Sequence, residues 1–490
     1  MSRPTQSTPT YLDQLPDAII NIISDYVVCE DNWNTGYSWL NPAACIGSLH
    51  KAWPHSRYEG LTKPYMQHGI SFNGSAFNLK QIMDLLLLGE PEETLAAQFL
   101  VFAHVKFLIH EQNKNPFQSI EEEIEWLTET CTKLGLKVED MDLDVIWPYK
   151  RFELLVQVLD RVTKFCYCTD AHRDSPFATF DKRDVALQSQ WQDNNMMTKP
   201  AFSTIITPVP SALRSMDQFY IGHGYWHNIN CENPYQTLLP VFFLPNIRVI
   251  QCSNMFSSSV NLDEELTSLD PYTPHPYTSP VTTLHFTLCD MQLETFEKFL
   301  GLPKSLVEFS FRNCTHDGYS CTMGDMVQLL SNYHSESLEI LTLDGTEDSQ
   351  KIKTIWADKG DHISPHRIGS LKDFKTLRVI EAPIWSLVDC DRETLTFNLP
   401  EVLPQSLEKI KFFVDMTVDK RPQQYLETIK GHLECMIENK RKKYPRLAIV
   451  EVCTRHIARN EEPDWDCLFE DFEDSLAGLA MKENVRLNID

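Results

Sequence analysis

Between residues 281 and 413 apolar side chains return in one arrangement. Val281-Thr-Thr-Leu284-His-Phe286 is apolar at its first, fourth and sixth positions. So are Leu306-Val-Glu-Phe309-Ser-Phe311, Leu338-Glu-Ile-Leu341-Thr-Leu343, Leu377-Arg-Val-Ile380-Glu-Ala382 and Leu407-Glu-Lys-Ile410-Lys-Phe412. Positions four and six share one face of a strand, so each unit predicts a short strand with one buried face. The residues between them are mixed: Thr283 and His285, Glu308 and Ser310, Lys409 and Lys411. Two units share their approach as well, Leu302-Pro-Lys-Ser-Leu306 and Leu403-Pro-Gln-Ser-Leu407. The same spacing recurs at Val162, Ile247 and Leu447, the last taken as the final strand, and Met216 to Ile221 adds a further candidate. Self-similarity of this kind marks a stack of repeated units. The strands starting near Val162, Ile247, Val281, Leu306, Leu338, Leu377, Leu407 and Leu447 are therefore expected side by side, parallel and in chain order, with helices opposite.

Position nine of two units is Cys289 and Cys314; in the other three it is Thr346, Trp385 and Asp415. Asn or Cys there is the habit of leucine-rich repeats, where a small polar side chain satisfies backbone groups as the strand leaves the sheet. The chain resembles that family, with units longer and less even than the usual span of roughly 20–29 residues. An ordinary α/β domain is the alternative, but its parallel strands are usually apolar on both faces. Here one face is polar in most units.

The rest of the chain supplies helices and insertions. Leu79, Ile82, Met83 and Leu85 to Leu88 form an apolar cluster, and Phe99 to His110 reads as a helix running into a strand at Val105 to Leu108. Ser119-Ile-Glu-Glu122 is a capping box opening a helix through Trp126 and Leu127, with Glu121 to Glu123 as its solvated face. Residues 152–159 and 423–442 read as helices. Insertions are expected at 169–212, 254–280 and 346–365.

Residues 1–11 are Ser/Thr/Pro-rich and read as disordered. Leu15, Ile19, Ile22, Ile23, Tyr26 and Val27 then follow helical spacing, with Pro16 suited to a first helical position. A second helical stretch runs from Ala43 to Trp53. An opening Leu-Pro, an amphipathic helix and a short helix ending in Lys51-Ala-Trp53 resemble an F-box, with an insertion from Cys29 to Leu40 that departs from the compact pattern. The resemblance implies an F-box-like module over 12–60 that docks onto the Skp adaptor of a cullin–RING ubiquitin ligase. Leu15, Pro16, Ile20 and Trp53 are its candidate adaptor contacts. A terminal cap of the repeats is the alternative. The implied fold is α/β: the helical module, then an irregular leucine-rich-repeat-like solenoid over 78–453, then an acidic cap or tail over 454–490.

Charge narrows the function classes. The net charge of −25 and pI of about 5.0 argue against general binding to nucleic acid, which needs a basic footprint, and against an anionic membrane surface. The 14 cysteines include no C-x-x-C pair, and their scatter, including Cys166, Cys168 and Cys252, points to reduced thiols of a cytoplasmic or nuclear protein. No zinc spacing is seen: His223/His227 and His362/His366 are i,i+4 pairs broken by Gly224 and Pro365. No phosphate loop or G-x-S-x-G motif occurs. Lys440 to Lys443 reads as cations at a helix C-terminus rather than a nuclear signal.

The expectation is a binding protein with no catalytic residues, metal or cofactor: a substrate receptor of an SCF-type ligase or, alternatively, a repeat scaffold without a ligase link. Its partner surface is the polar strand face, through His285, Glu308, Ser310, Arg312, Asp344, Glu381, Lys409, Lys411 and Phe413, with Arg312 and Phe413 as anchors. Binding through the loops at 169–212 and 254–280 is the alternative.

Overall fold

The computed structural model describes residues 70–72, 79–80, 82–84, 99–104, 116–133, 151, 155, 159, 162–169, 211–222, 230–231, 238, 241–242, 244–253, 256–257, 277–287, 289, 293–312, 321–344, 368–387, 399–415, 422–455 and 465–489. The chain divides into two compact units, residues 1–227 with 243–247, and residues 228–242 with 248–490.

In the first unit the described strands are β1 (Ile70–Phe72), β2 (Phe99–His104), β3 (Lys164–Thr169) and β4 (Gln218–Gly222), all parallel and adjacent in chain order. β2 corrects the expectation of a helix at 99–104, while the strand expected at 105–108 lies outside the described residues. Phe99-Leu-Val-Phe-Ala is a continuous apolar run, and such runs do not separate strand from helix by period alone. Helix α1 (Ile120–Lys133) begins as expected: Ser119 Oγ accepts from Glu122 N–H at 3.2 Å. The Glu122 carboxylate reaches back one residue further than a capping box, accepting from Gln118 N–H at 2.6 Å. Helix α2 (Ser211–Arg214) precedes β4.

Glu121 and Glu122 are exposed, as a solvated face requires, but Glu123 is not. It is 2% exposed, and Arg151 grips it with two bonds, Nε to Oε1 at 2.8 Å and Nη2 to Oε2 at 3.0 Å. Buried carboxylates persist when paired in this way.

The second unit contains β5 (Asn230–Cys231), β6 (Val249–Ser253), β7 (Phe256–Ser257), β8 (Thr283–Thr287), helix α3 (Leu293–Gly301), β9 (Glu308–Arg312), helix α4 (Met323–His334), β10 (Ile340–Asp344) and β11 (Val379–Pro383). It continues through α5 (Leu399–Val402), β12 (Lys409–Asp415), α6 (Pro422–Glu438), α7 (Lys440–Lys443), β13 (Ile449–Arg455), α8 (Trp465–Lys482) and β14 (Arg486–Ile489). Strands β6, β8, β9, β10, β11, β12, β13 and β14 pair in that order, every pair parallel. β5 and β7 form a separate parallel pair, so residues 256–257 are strand and not loop. Leu447 does not open the last strand, because β14 follows α8 and pairs with β13.

Each strand begins two residues after the first apolar position. Val281, Leu306, Leu338, Leu377, Leu407 and Leu447 lie in the approach turn and are fully buried. Positions four and six fill the core in register: Ile250, Leu284, Phe309, Leu341, Ile380, Ile410 and Val450 form one row, each 0% exposed. Helices pack on this face. Phe296 of α3 meets the edges of Phe286 and Phe311 at centroid distances of 5.1 and 5.5 Å.

The residue before the first-position leucine ties one unit to the preceding one. Ser337 Oγ donates to Leu306 C=O (2.8 Å), Thr376 Oγ1 to Leu338 C=O (2.9 Å) and Ser406 Oγ to Leu377 C=O (2.7 Å). Position nine acts at the other end: the buried Cys289 thiol donates to Cys252 C=O of the previous strand at 3.6 Å. Helix α4 opens with a full capping box between Thr322 and Asp325. The helix expected over 423–442 breaks at Asn439 into α6 and α7. Lys440 of α7 is buried, and its ammonium donates to Glu483 C=O and Asn484 C=O, both at 2.8 Å, just past the end of α8. There a cation meets the negative end of a helix.

Candidate interaction surface

Because side chains alternate across a strand, the face opposite the core carries positions three, five and seven of each unit. Parallel pairing aligns them into rows. The middle row reads Gln251, His285, Ser310, Thr342, Glu381, Lys411, Glu451, Asn488 across eight strands. A flanking row reads Val249, Thr283, Glu308, Ile340, Val379, Lys409, Ile449, Arg486. On the other flank Ser253, Thr287, Arg312 and Asp344 are in register.

The row charges engage one another. His285 uses both ring nitrogens, Nδ1 with Gln251 Nε2 at 3.3 Å and Nε2 with Glu308 Oε1 at 3.0 Å. The amide donates to Nδ1, so Nε2–H donates to the carboxylate. The hydrogen bond from His285 holds the Glu308 carboxyl below its ordinary range against the opposing effect of burial, and the Arg312 charge adds to it. Arg312 Nε donates to Ser310 Oγ at 3.2 Å, and Nη2 reaches Glu381 Oε2 at 3.5 Å. At the far side Lys409 Nζ pairs with Glu451 Oε2 at 2.9 Å, and Asn488 Nδ2 donates to Glu451 Oε1 at 3.3 Å. Burial pushes the Glu451 carboxyl up, but Lys409, Asn488 and Lys411 together bring it below its ordinary value.

The expected partner-facing residues divide into two groups. His285, Glu308, Glu381, Lys409 and Lys411 are half-buried and Arg312 is exposed. Ser310, Asp344 and Phe413 are not available: they are 6%, 4% and 5% exposed. The short Ser310 and Thr342 stand in register between the longer His285 and Glu381, and Arg312 lies over them. Lys411 Nζ stands 5.6 Å from the centre of the Phe413 ring. Phe413 is therefore removed as a surface anchor. The sequence reading passed over Ile340, Val379 and Ile449, half-buried apolar side chains in the same face; their signal was an apolar third position in each unit.

Leu15, Pro16, Ile20 and Trp53, the histidine pairs 223/227 and 362/366, and the insertion at 346–365 lie outside the described residues. Among the described residues, no helix is long and apolar enough to cross a membrane. Compared with known families and with curated proteins, the chain matches no family model and no curated protein.

Proposed function

We propose that the chain is a target-binding receptor of the F-box, leucine-rich-repeat type. Residues 12–60 hold a Skp-type adaptor through Leu15, Pro16, Ile20 and Trp53, and the solenoid presents a protein target to a ubiquitin-conjugating enzyme bound elsewhere in the ligase. Catalysis belongs to other subunits, and the setting is cytoplasmic or nuclear. The observation that carries the reading is the second unit's parallel sheet, with helices on its apolar face and rows of ordered mixed charge on the other. Such a face selects partners by charge pattern rather than by bulk charge. His285, Glu308, Arg312, Glu381, Lys409 and Lys411 are its contact residues, around the apolar pair Ile340 and Val379. Co-purification with the adaptor, for the full chain and for a chain lacking residues 1–60, tests the proposal.

A further inference from the structure

Among the described residues, β14 has a paired neighbour on one side only, β13. Its core-face residues show the consequence. Leu487 and Ile489 are in register with Val450 and Val452, which are 0% and 1% exposed, yet both are themselves half-buried. The strand is short and carries the exposed Arg486, but it has no proline, bulge or inward charge to blunt its edge. Helix α8, immediately before β14, is also uncovered: Asp474, Ala477, Gly478, Met481 and Lys482 are exposed, Met481 at 84%.

We propose that this terminal edge is the self-association surface of the chain, and that its occupant is a second copy related by a two-fold axis perpendicular to the sheet. Such an axis pairs β14 antiparallel with its counterpart. Any register that preserves the pleat then puts Leu487 and Ile489 of both copies on one face, where they complete each other's burial. The same axis runs α8 antiparallel to the second α8. Centred on Gly478, it sets Asp474 of each copy against Lys482 of the other. The two centres lie at similar distances from the turn that joins α8 to β14. Gly478 is four residues from the end of α8, about 6 Å by helical rise. Asn488 is two residues into β14, about 7 Å by strand rise. The surface thus carries its own counter-charges and its own apolar complement, as an isologous interface requires.

Sedimentation equilibrium on the full chain tests this. The expected species is a dimer of twice 56.7 kDa. An added Cβ at Gly478 meets no atom within 4 Å, so Gly478→Arg blocks the approach without disturbing the fold. It should raise the Kd more than about tenfold with an unchanged thermal melt. Asp474→Lys should do the same, and Asp474→Lys with Lys482→Asp should restore the dimer. Should Gly478→Arg shift the melt, Met481→Glu takes its place with the same expectation. A mass of 56.7 kDa at every concentration, a dimer indifferent to these substitutions, or a double variant that stays monomeric would overturn the proposal.

Discussion

Arg312 on β9 reaches over Thr342 on β10 to meet Glu381 on β11, Nη2 to Oε2 at 3.5 Å. One guanidinium thereby spans three strands, and Thr342 beneath it is 4% exposed. The pair is partly solvated, with side-chain exposures of 49% and 22%, and such pairs contribute about 0–1 kcal/mol. Arg312→Ala should therefore leave the melt nearly unmoved. It should weaken target capture, because arginine is enriched among interface hot spots. Capture by this variant is to be compared with capture by a chain whose 254–280 segment is shortened. Full retention by Arg312→Ala beside loss by the shortened chain would move the binding surface to the loops.

Leu341 is fully buried in the central row of the core. Leu341→Ala should lower stability by about 2–5 kcal/mol, the range for large-to-small changes in packed cores. Urea unfolding measures it. A loss under about 1 kcal/mol would contradict the packing described for β10.

Glu123 and Arg151 form a buried bidentate pair with side-chain exposures of 3% and 13%. Breaking a buried pair by removing one partner is destabilising by about 3–5 kcal/mol. Glu123→Ala should show that loss, while Glu122→Ala, at an exposed cap, should lose only about 1 kcal/mol. Equal melts for the two variants would return Glu123 to the solvated face.

His334 of α4 is buried and closes the preceding unit: Nε2–H donates to Leu300 C=O at 2.7 Å, and Nδ1 accepts from Leu306 N–H at 3.5 Å. Burial lowers its pKa from 6.5, only partly opposed by the Leu300 bond. Burial likewise brings His432 down to about 4. Both rings take up protons less readily in the folded chain than in the unfolded chain, which does so below about pH 6.5. Stability is therefore present above pH 6.5 and lost as the pH falls toward 4. His334→Gln should flatten unfolding free energy against pH in that window. An unchanged slope would assign the dependence to other groups.

The repeat was legible because strand alternation writes itself into the sequence. Leu284 and Phe286, Phe309 and Phe311, and Leu341 and Leu343 fix which face is core by their spacing alone. Cys289 likewise announced its role at the strand exit. Long-range partners were not legible. Nothing near Glu123 points to Arg151, 28 residues on, so an acidic run read as solvated. Phe413 is a position-seven aromatic by sequence, and only the cross-strand packing shows it buried. β14 was missed because its first position is the polar Asn484, although Leu487 and Ile489 keep positions four and six. The serine in Leu-Pro-Gln-Ser-Leu407 was visible as a repeat, but its bond to Leu377 C=O needed the neighbouring unit in place.

The central proposal is that a repeat-built target receptor is joined to a ligase by residues 12–60. Its most direct test is affinity purification of the full chain beside a chain lacking residues 1–60, with the Skp-type adaptor quantified by mass spectrometry. The account predicts adaptor with the full chain and none with the shortened one. Leu15→Ala with Pro16→Ala should reproduce the loss at an unchanged melt. Absence of the adaptor from the full chain, or its equal recovery with the shortened one, would contradict the account.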